Sequence, residues 1–116
     1  MNKTQIIEGV SGRTAVVTGA AQGIGRSIAD TLVQNGARTA YLDLNSPKSF
    51  TESSEQKFFQ CDITKIQSIE DTFNEIEKIS QPQLLVGVYP MPKERMKLEN
   101  YLQQLHLYEG IHWWYL

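Results

Sequence analysis

The stretch Thr14-Ala15-Val16-Val17-Thr18-Gly19-Ala20-Ala21-Gln22-Gly23-Ile24-Gly25 decides the fold. Thr14 to Val17 form a short, apolar and β-branched run that reads as a strand buried on both faces. From Gly23 the pattern turns helical. Ile24, Ile28 and Leu32 fall four apart, Ala29 and Val33 widen that stripe, and Asn35-Gly36 supplies a left-handed stop. The expected unit is a strand that passes through a glycine turn into an amphipathic helix.

The three glycines have distinct steric uses. Gly19 can take the sharp exit from the strand, Gly23 removes a Cβ that would collide with a bound pyrophosphate, and Gly25 lets the helix lie close on the sheet. Backbone N–H groups at a helix N-terminus meet phosphate charge without large side chains, so this turn is the expected anion cradle. Glycine turns also occur for steric reasons alone, and the context is what strengthens the ligand reading.

Working outward, Ala40-Tyr41-Leu42 runs into Asp43, and Phe58-Phe59-Gln60-Cys61 runs into Asp62, so two further strands are expected to exit at carboxylates. Thr64 and Gln67 have the spacing of a capping box, after which Ile66, Ile69, Phe73 and Ile76 line one face of a second helix. Leu84-Leu85-Val86 reads as a fourth strand, and Asn45 to Gln56 as a surface loop, the softest part of the core region, where a crossover helix has shrunk or been lost. Strands alternating with helices imply crossover connections and a parallel sheet, hence an α/β domain.

Asp43 follows Gly19 by 24 residues, near the ~20 expected of an acid that binds an adenosine ribose. Its carboxylate can accept from ribose hydroxyls, whereas a 2'-phosphate would meet like charge at a cost on the order of 4 kcal/mol at an effective dielectric of 20. No Arg or Lys occupies Leu44 or Asn45, and Gln22 in the turn is neutral. NAD is therefore expected over NADP.

The Thr18 to Gly25 turn, Asp43 and the Asp62-Ile63-Thr64 step together resemble the short-chain dehydrogenase/reductase family, over about residues 13 to 79. The resemblance implies an incomplete Rossmann-type, doubly wound parallel sheet of three or four strands. It also implies that Gly19, Gln22, Gly23, Ile24 and Gly25 surround the pyrophosphate and adenosine ribose, that Asp43 and Leu44 hold that ribose, and that Asp62 and the Ile63 backbone touch the adenine edge. For Asp62 a helix-capping role ahead of Thr64 competes with the adenine role. Cys61 reads as a buried strand residue rather than a reactive thiol.

The pattern departs from the family after the fourth strand. Where an Asn-Asn-Ala-Gly segment is expected, the chain has Gly87-Val88-Tyr89-Pro90, whose tyrosine crowds the cofactor channel and whose proline removes a donor. The family's catalytic serine and Tyr-x-x-x-Lys pair are missing. Tyr89-Pro90-Met91-Pro92-Lys93 matches the pair by letter, but prolines at 90 and 92 prevent the helical turn that would bring Tyr89 and Lys93 together. No catalytic residue is assigned.

The expected divisions are an N-terminal extension (1–12), a truncated dinucleotide-binding domain (13–88) and a divergent tail (89–116). In the tail Leu98, Tyr101, Leu102 and Leu105 share one helical face, and His112-Trp113-Trp114-Tyr115 is expected to cover the sheet's exposed edge. His106 and His112 lack metal-site spacing.

Length and composition agree with this outline. A chain of 116 residues allows one compact core. With 11 basic and 13 acidic residues mixed along it, there is no stripe for nucleic acid, and no apolar run reaches the ~18 residues of a membrane span. A lone cysteine argues for a reducing, cytoplasmic setting. The expected function is the NAD-binding portion of an oxidoreductase of this family, without its catalytic half and inactive alone, with a homo-oligomer or a full-length relative as protein partner. The alternatives are a non-enzymatic nucleotide-fold interaction module and a frame-shifted remnant whose tail begins near Ile79.

Overall fold

The computed structural model describes residues 9–87 and the strand 112–115. In chain order the elements are β1 (Thr14–Thr18), α1 (Gly23–Gln34), β2 (Arg38–Asp43), β3 (Gln56–Gln60), α2 (Ile66–Glu77), β4 (Leu84–Gly87) and β5 (His112–Tyr115). The strands form one sheet in the order β3-β2-β1-β4-β5, with all four neighbouring pairs parallel. The α/β, Rossmann-type class read from the sequence is the class observed.

Side chains alternate across the sheet and separate two cores, as the period of a strand requires. On one face Val16, Ala40, Leu42 and Leu85 pack with Ile69, Phe73 and Ile76 of α2. On the other, Ala15, Val17, Tyr41 and Val86 pack with Ala29 and Leu32 of α1. The sheet is thus covered by one helix on each side, which is why β1 has no exposed position.

The stop after α1 is a Schellman closure. Gly36 adopts φ 92° and its N–H donates to Val33 O, while Ala37 N–H donates to Leu32 O, at 3.0 Å each. The Asn35 side chain adds a bond to Thr31 O at 2.8 Å. The expected Asn35-Gly36 terminator is therefore present, and the chain turns directly into β2.

Four expectations are corrected. Ile24 is 65% exposed and Ile66 is 55% exposed, so neither belongs to its helix's buried stripe. Both sit in the first turn of their helix, and the buried face of α1 is Gly25, Ala29 and Leu32. The Thr64/Gln67 capping box does not form: Lys65 is the N-cap residue and makes no side-chain capping bond. Instead Asp62 Oδ1 accepts from the Thr64 N–H and hydroxyl, and Gln67 turns outward to Asp71.

The last correction concerns the strand count. Among the described residues the sheet has five strands rather than three or four, because His112 to Tyr115 pairs with Leu84 to Gly87 in parallel register. The aromatic segment does meet the β4 edge as expected, and it does so as a strand, the conformation that aromatic residues favour on a pleated surface. The expected tail helix, Val88 to Pro90 and the Tyr89/Lys93 pair lie outside the described residues.

Candidate functional site

The glycine turn leaves β1 with Gly19 at φ 64°, and Ala20 N–H extends the β1–β2 ladder by donating to Leu42 O at 3.1 Å. A Cβ on Gly25 would stand 2.0 Å from Gly19 O and 2.7 Å from Gly19 C, backbone atoms that cannot yield. Only glycine lets α1 sit this close to the strand exit. Gly23 has φ 64° and open space where a Cβ would project, so nothing among the described residues crowds that side of the turn. Helix α1 starts there with no side-chain cap and no acidic residue in its first turn, leaving its positive end for an outside anion.

Asp43, at the end of β2, faces this turn. Its Oδ2 accepts from Ala21 N–H at 2.9 Å, and its Oδ1 accepts from Leu44 N–H at 2.7 Å and more weakly from Asn45 N–H at 3.4 Å. The acid thereby ties two strand exits together. One strand further, Cys61 N–H donates to Asp43 O at 2.9 Å, which brings Asp62 alongside. Asp62 N–H donates to Ser68 Oγ at 2.9 Å, and its carboxylate holds Thr64 in the turn before α2, whose N-cap residue Lys65 receives no side-chain capping bond. Ile63 is half-buried against the α2-side core, whereas Gln22 and Leu44 are exposed.

The structure brings the turn, Asp43 and Asp62 to the carboxyl ends of β1, β2 and β3. Strand order reverses at β1, whose neighbours β2 and β4 follow it in opposite directions across the sheet. Ligands of open α/β sheets bind at that reversal. A shallow cleft lined by Arg38, Ala40, Lys57, Phe59, Ile76 and Ile79 lies at the opposite end of the strands and includes none of the sequence-expected site residues.

A network that the sequence analysis missed backs the turn. Arg26 Nε donates to both Asp30 carboxylate oxygens at 3.0 and 3.1 Å, and its terminal nitrogens donate to Lys48 O at 2.8 Å and Ser49 O at 3.4 Å. The Tyr41 hydroxyl donates to Asp30 Oδ1 at 2.6 Å, and Phe50 meets Tyr41 edge-on at 4.8 Å while lying under the Arg26 guanidinium. Burial first, and then the Asp30 carboxylate, push the Tyr41 phenol well above its ordinary range. The four-residue spacing of Arg26 and Asp30 was a readable signal, but their attachment to the loop was not.

Cys61 is buried, and that burial raises its thiol, which fits the structural reading and opposes a reactive one. Among the described residues no cluster of three His, Cys, Asp or Glu side chains gathers as a metal site, and no helix is long and apolar enough to cross a membrane.

Sheet order and the strand–glycine turn–helix unit define a protein of the Rossmann-type α/β class. A profile of the short chain dehydrogenases matches residues 13–88, and the chain belongs to that family of oxidoreductases. It is 42% identical over 71 residues to the NADP-dependent dehydrogenase M3 of Phoma sp., an overlap covering 58% of this chain and 21% of that protein. It is 38% identical over 76 residues to human 15-hydroxyprostaglandin dehydrogenase [NAD(+)], covering 58% of this chain and 29% of that one. The fold superposes on a short chain dehydrogenase from Leptospira borgpetersenii with bound NAD+ at a TM-score of 0.73, with 19% identity, over 82% of this chain and 46% of that one. The chain therefore spans less than a third of the length of these two curated relatives, which between them carry both nicotinamide cofactors in their names.

Proposed function

We propose that residues 13–88 bind the adenosine and pyrophosphate portion of NAD, in preference to NADP, and act as the cofactor-binding part of a short-chain dehydrogenase/reductase-type oxidoreductase. In this reading Gly19, Gln22, Gly23, Ile24 and Gly25 surround the pyrophosphate, Asp43 and Leu44 hold the adenosine ribose, and Asp62 and Ile63 border the adenine. NAD would supply a hydride acceptor. The protein's own residues would neutralise phosphate charge through backbone donors and fix the ribose by a carboxylate.

The observation that carries the proposal is the Asp43–Ala21 bond at 2.9 Å, which sets a carboxylate beside the open turn. A 2'-phosphate placed there would approach an anion, and the nearest helix offers no compensating cation, since Arg26 is committed to Asp30 and to the loop carbonyls. No residue of this chain is assigned as the family's serine, and the Tyr89 to Lys93 letter match is accidental because of Pro90 and Pro92. Turnover by this chain alone is therefore not part of the proposal.

Calorimetric titration of the purified chain with NAD and with NADP, beside Asp43→Ala, tests it. NAD binding that is tighter than NADP binding, and that weakens in the variant, is the expected result. A folded sample that binds neither cofactor would overturn the proposal, and equal affinity for both would remove the preference assigned to Asp43.

A further inference from the structure

The outer edge of β3 carries a cover whose parts are visible in its hydrogen bonds. Thr39 N–H donates to Glu55 O and Cys61 N–H donates to Asp43 O, so the odd-numbered residues from 55 to 61 turn their backbone groups toward β2. By the alternation of a strand, Gln56, Phe58 and Gln60 turn theirs outward. Those outward groups are met by the preceding segment: Phe58 N–H donates to the Glu52 carboxylate at 2.8 Å, and Gln56 O accepts from Ser53 N–H at 2.9 Å. The Gln56 side chain returns a bond to Thr51 O at 2.6 Å. Three consecutive residues are thus strapped across the edge of a strand whose sequence is Gln-Lys-Phe-Phe-Gln.

We propose that this strap guards a self-pairing surface, and that β3 of a second copy of this chain is the partner it excludes. The strand suits antiparallel pairing with itself about a twofold axis at Phe58. Phe58 would then face its own equivalent, Gln56 would face Gln60 of the other copy, and Lys57 would face Phe59. No like charges stand opposite one another in that register, and the outward groups of residues 56, 58 and 60 are the ones that would exchange bonds. An uncovered edge of this composition, with two adjacent aromatic residues and a single charge, is a template for strand addition. The Glu52 carboxylate occupies the central donor of that register and places a negative charge at the axis, where two copies would bring two such charges together. The surface meets the proposed cofactor site where Gln60 Nε2 donates to Leu44 O at 3.2 Å.

Sedimentation of the full chain over a range of protein concentrations tests this. Glu52→Ala removes the acceptor, and its weight-average mass is expected to rise with concentration toward twice the wild-type value. Glu52→Gln keeps an acceptor oxygen for Phe58 N–H and should stay close to wild type. Gln60→Pro added to Glu52→Ala deletes an outward donor that the β2 ladder does not use, and should return the mass to the wild-type value. Should Glu52→Ala be recovered unfolded, Glu52→Met, which lacks both the acceptor oxygen and the charge but keeps a long stem, carries the same expectation of self-pairing. A mass equal to wild type in the folded acceptor-free variant, or an association that Gln60→Pro leaves intact, would overturn the proposal.

Discussion

Asp43 Oδ2 accepts the Ala21 backbone N–H at 2.9 Å, so the end of β2 holds the glycine turn that follows β1. One carboxylate therefore has a folding task as well as its proposed ligand task, and substitution can separate them. Asp43→Ala should lower stability by about 1 kcal/mol, reduced from the usual charged hydrogen bond because the group is half exposed, and should weaken NAD about tenfold or more. Asp43→Asn keeps an acceptor for Ala21 and should be nearly as stable as wild type, while its NAD-over-NADP ratio falls. Thermal melts paired with titrations of both cofactors distinguish the two effects.

The glycines of the turn should respond in opposite ways. Gly25→Ala forces a methyl group to within 2.0 Å of Gly19 O, and a loss of about 3 kcal/mol is expected in chemical denaturation. Gly23→Ala meets no atom of the described residues and bears only the strain of φ 64°, about 1 kcal/mol, yet should lose most of its NAD affinity. Equal stability losses in the two variants would contradict this division.

Tyr41 provides a pH signature. Its phenol is raised by burial and by Asp30, so the folded state holds the proton more tightly than the unfolded state does. The stabilisation from this group is complete below the ordinary tyrosine value of about 10 and is lost as pH rises through the higher folded value. Stability should therefore fall with alkalinity more steeply in wild type than in Tyr41→Phe, and ultraviolet titration should show one phenol lagging in wild type alone.

Arg26→Met should release the loop after β2. The Arg26–Asp30 pair is partly exposed and contributes at most about 1 kcal/mol, so the global melting temperature should barely move. Amide hydrogen exchange across residues 46 to 50 should nevertheless accelerate, because the Lys48 and Ser49 carbonyls lose their donor.

Local chemistry was legible wherever one short segment determined it. The Thr14 to Val17 run, the sharp exit at Gly19 and the left-handed helix stop at Asn35-Gly36 all follow from residue type. Asp43 and Asp62 were placed at strand exits by the same means. Contacts between distant segments were not legible: nothing in the spacing of Arg26 and Ser49 says that a loop missing its helix is tied to α1, or that Glu52 bonds Phe58 N–H. The Thr64/Gln67 pattern misled because Asp62, two residues earlier, already holds Thr64 before the helix begins at its N-cap residue Lys65. Ile24 and Ile66 misled because periodicity assigns a residue to a face and does not say whether anything covers that face in the first turn.

The steric roles of Gly25 and Gly23 make this turn a record of use. Folding alone would preserve Gly25, since any other residue collides with the strand exit whether or not a nucleotide ever arrives. Gly23 faces empty space, and an asparagine could take its backbone angle at modest cost. In a lineage that stopped binding dinucleotide, the second position is where drift would show first, while the third would stay fixed and keep the outward look of a cofactor site.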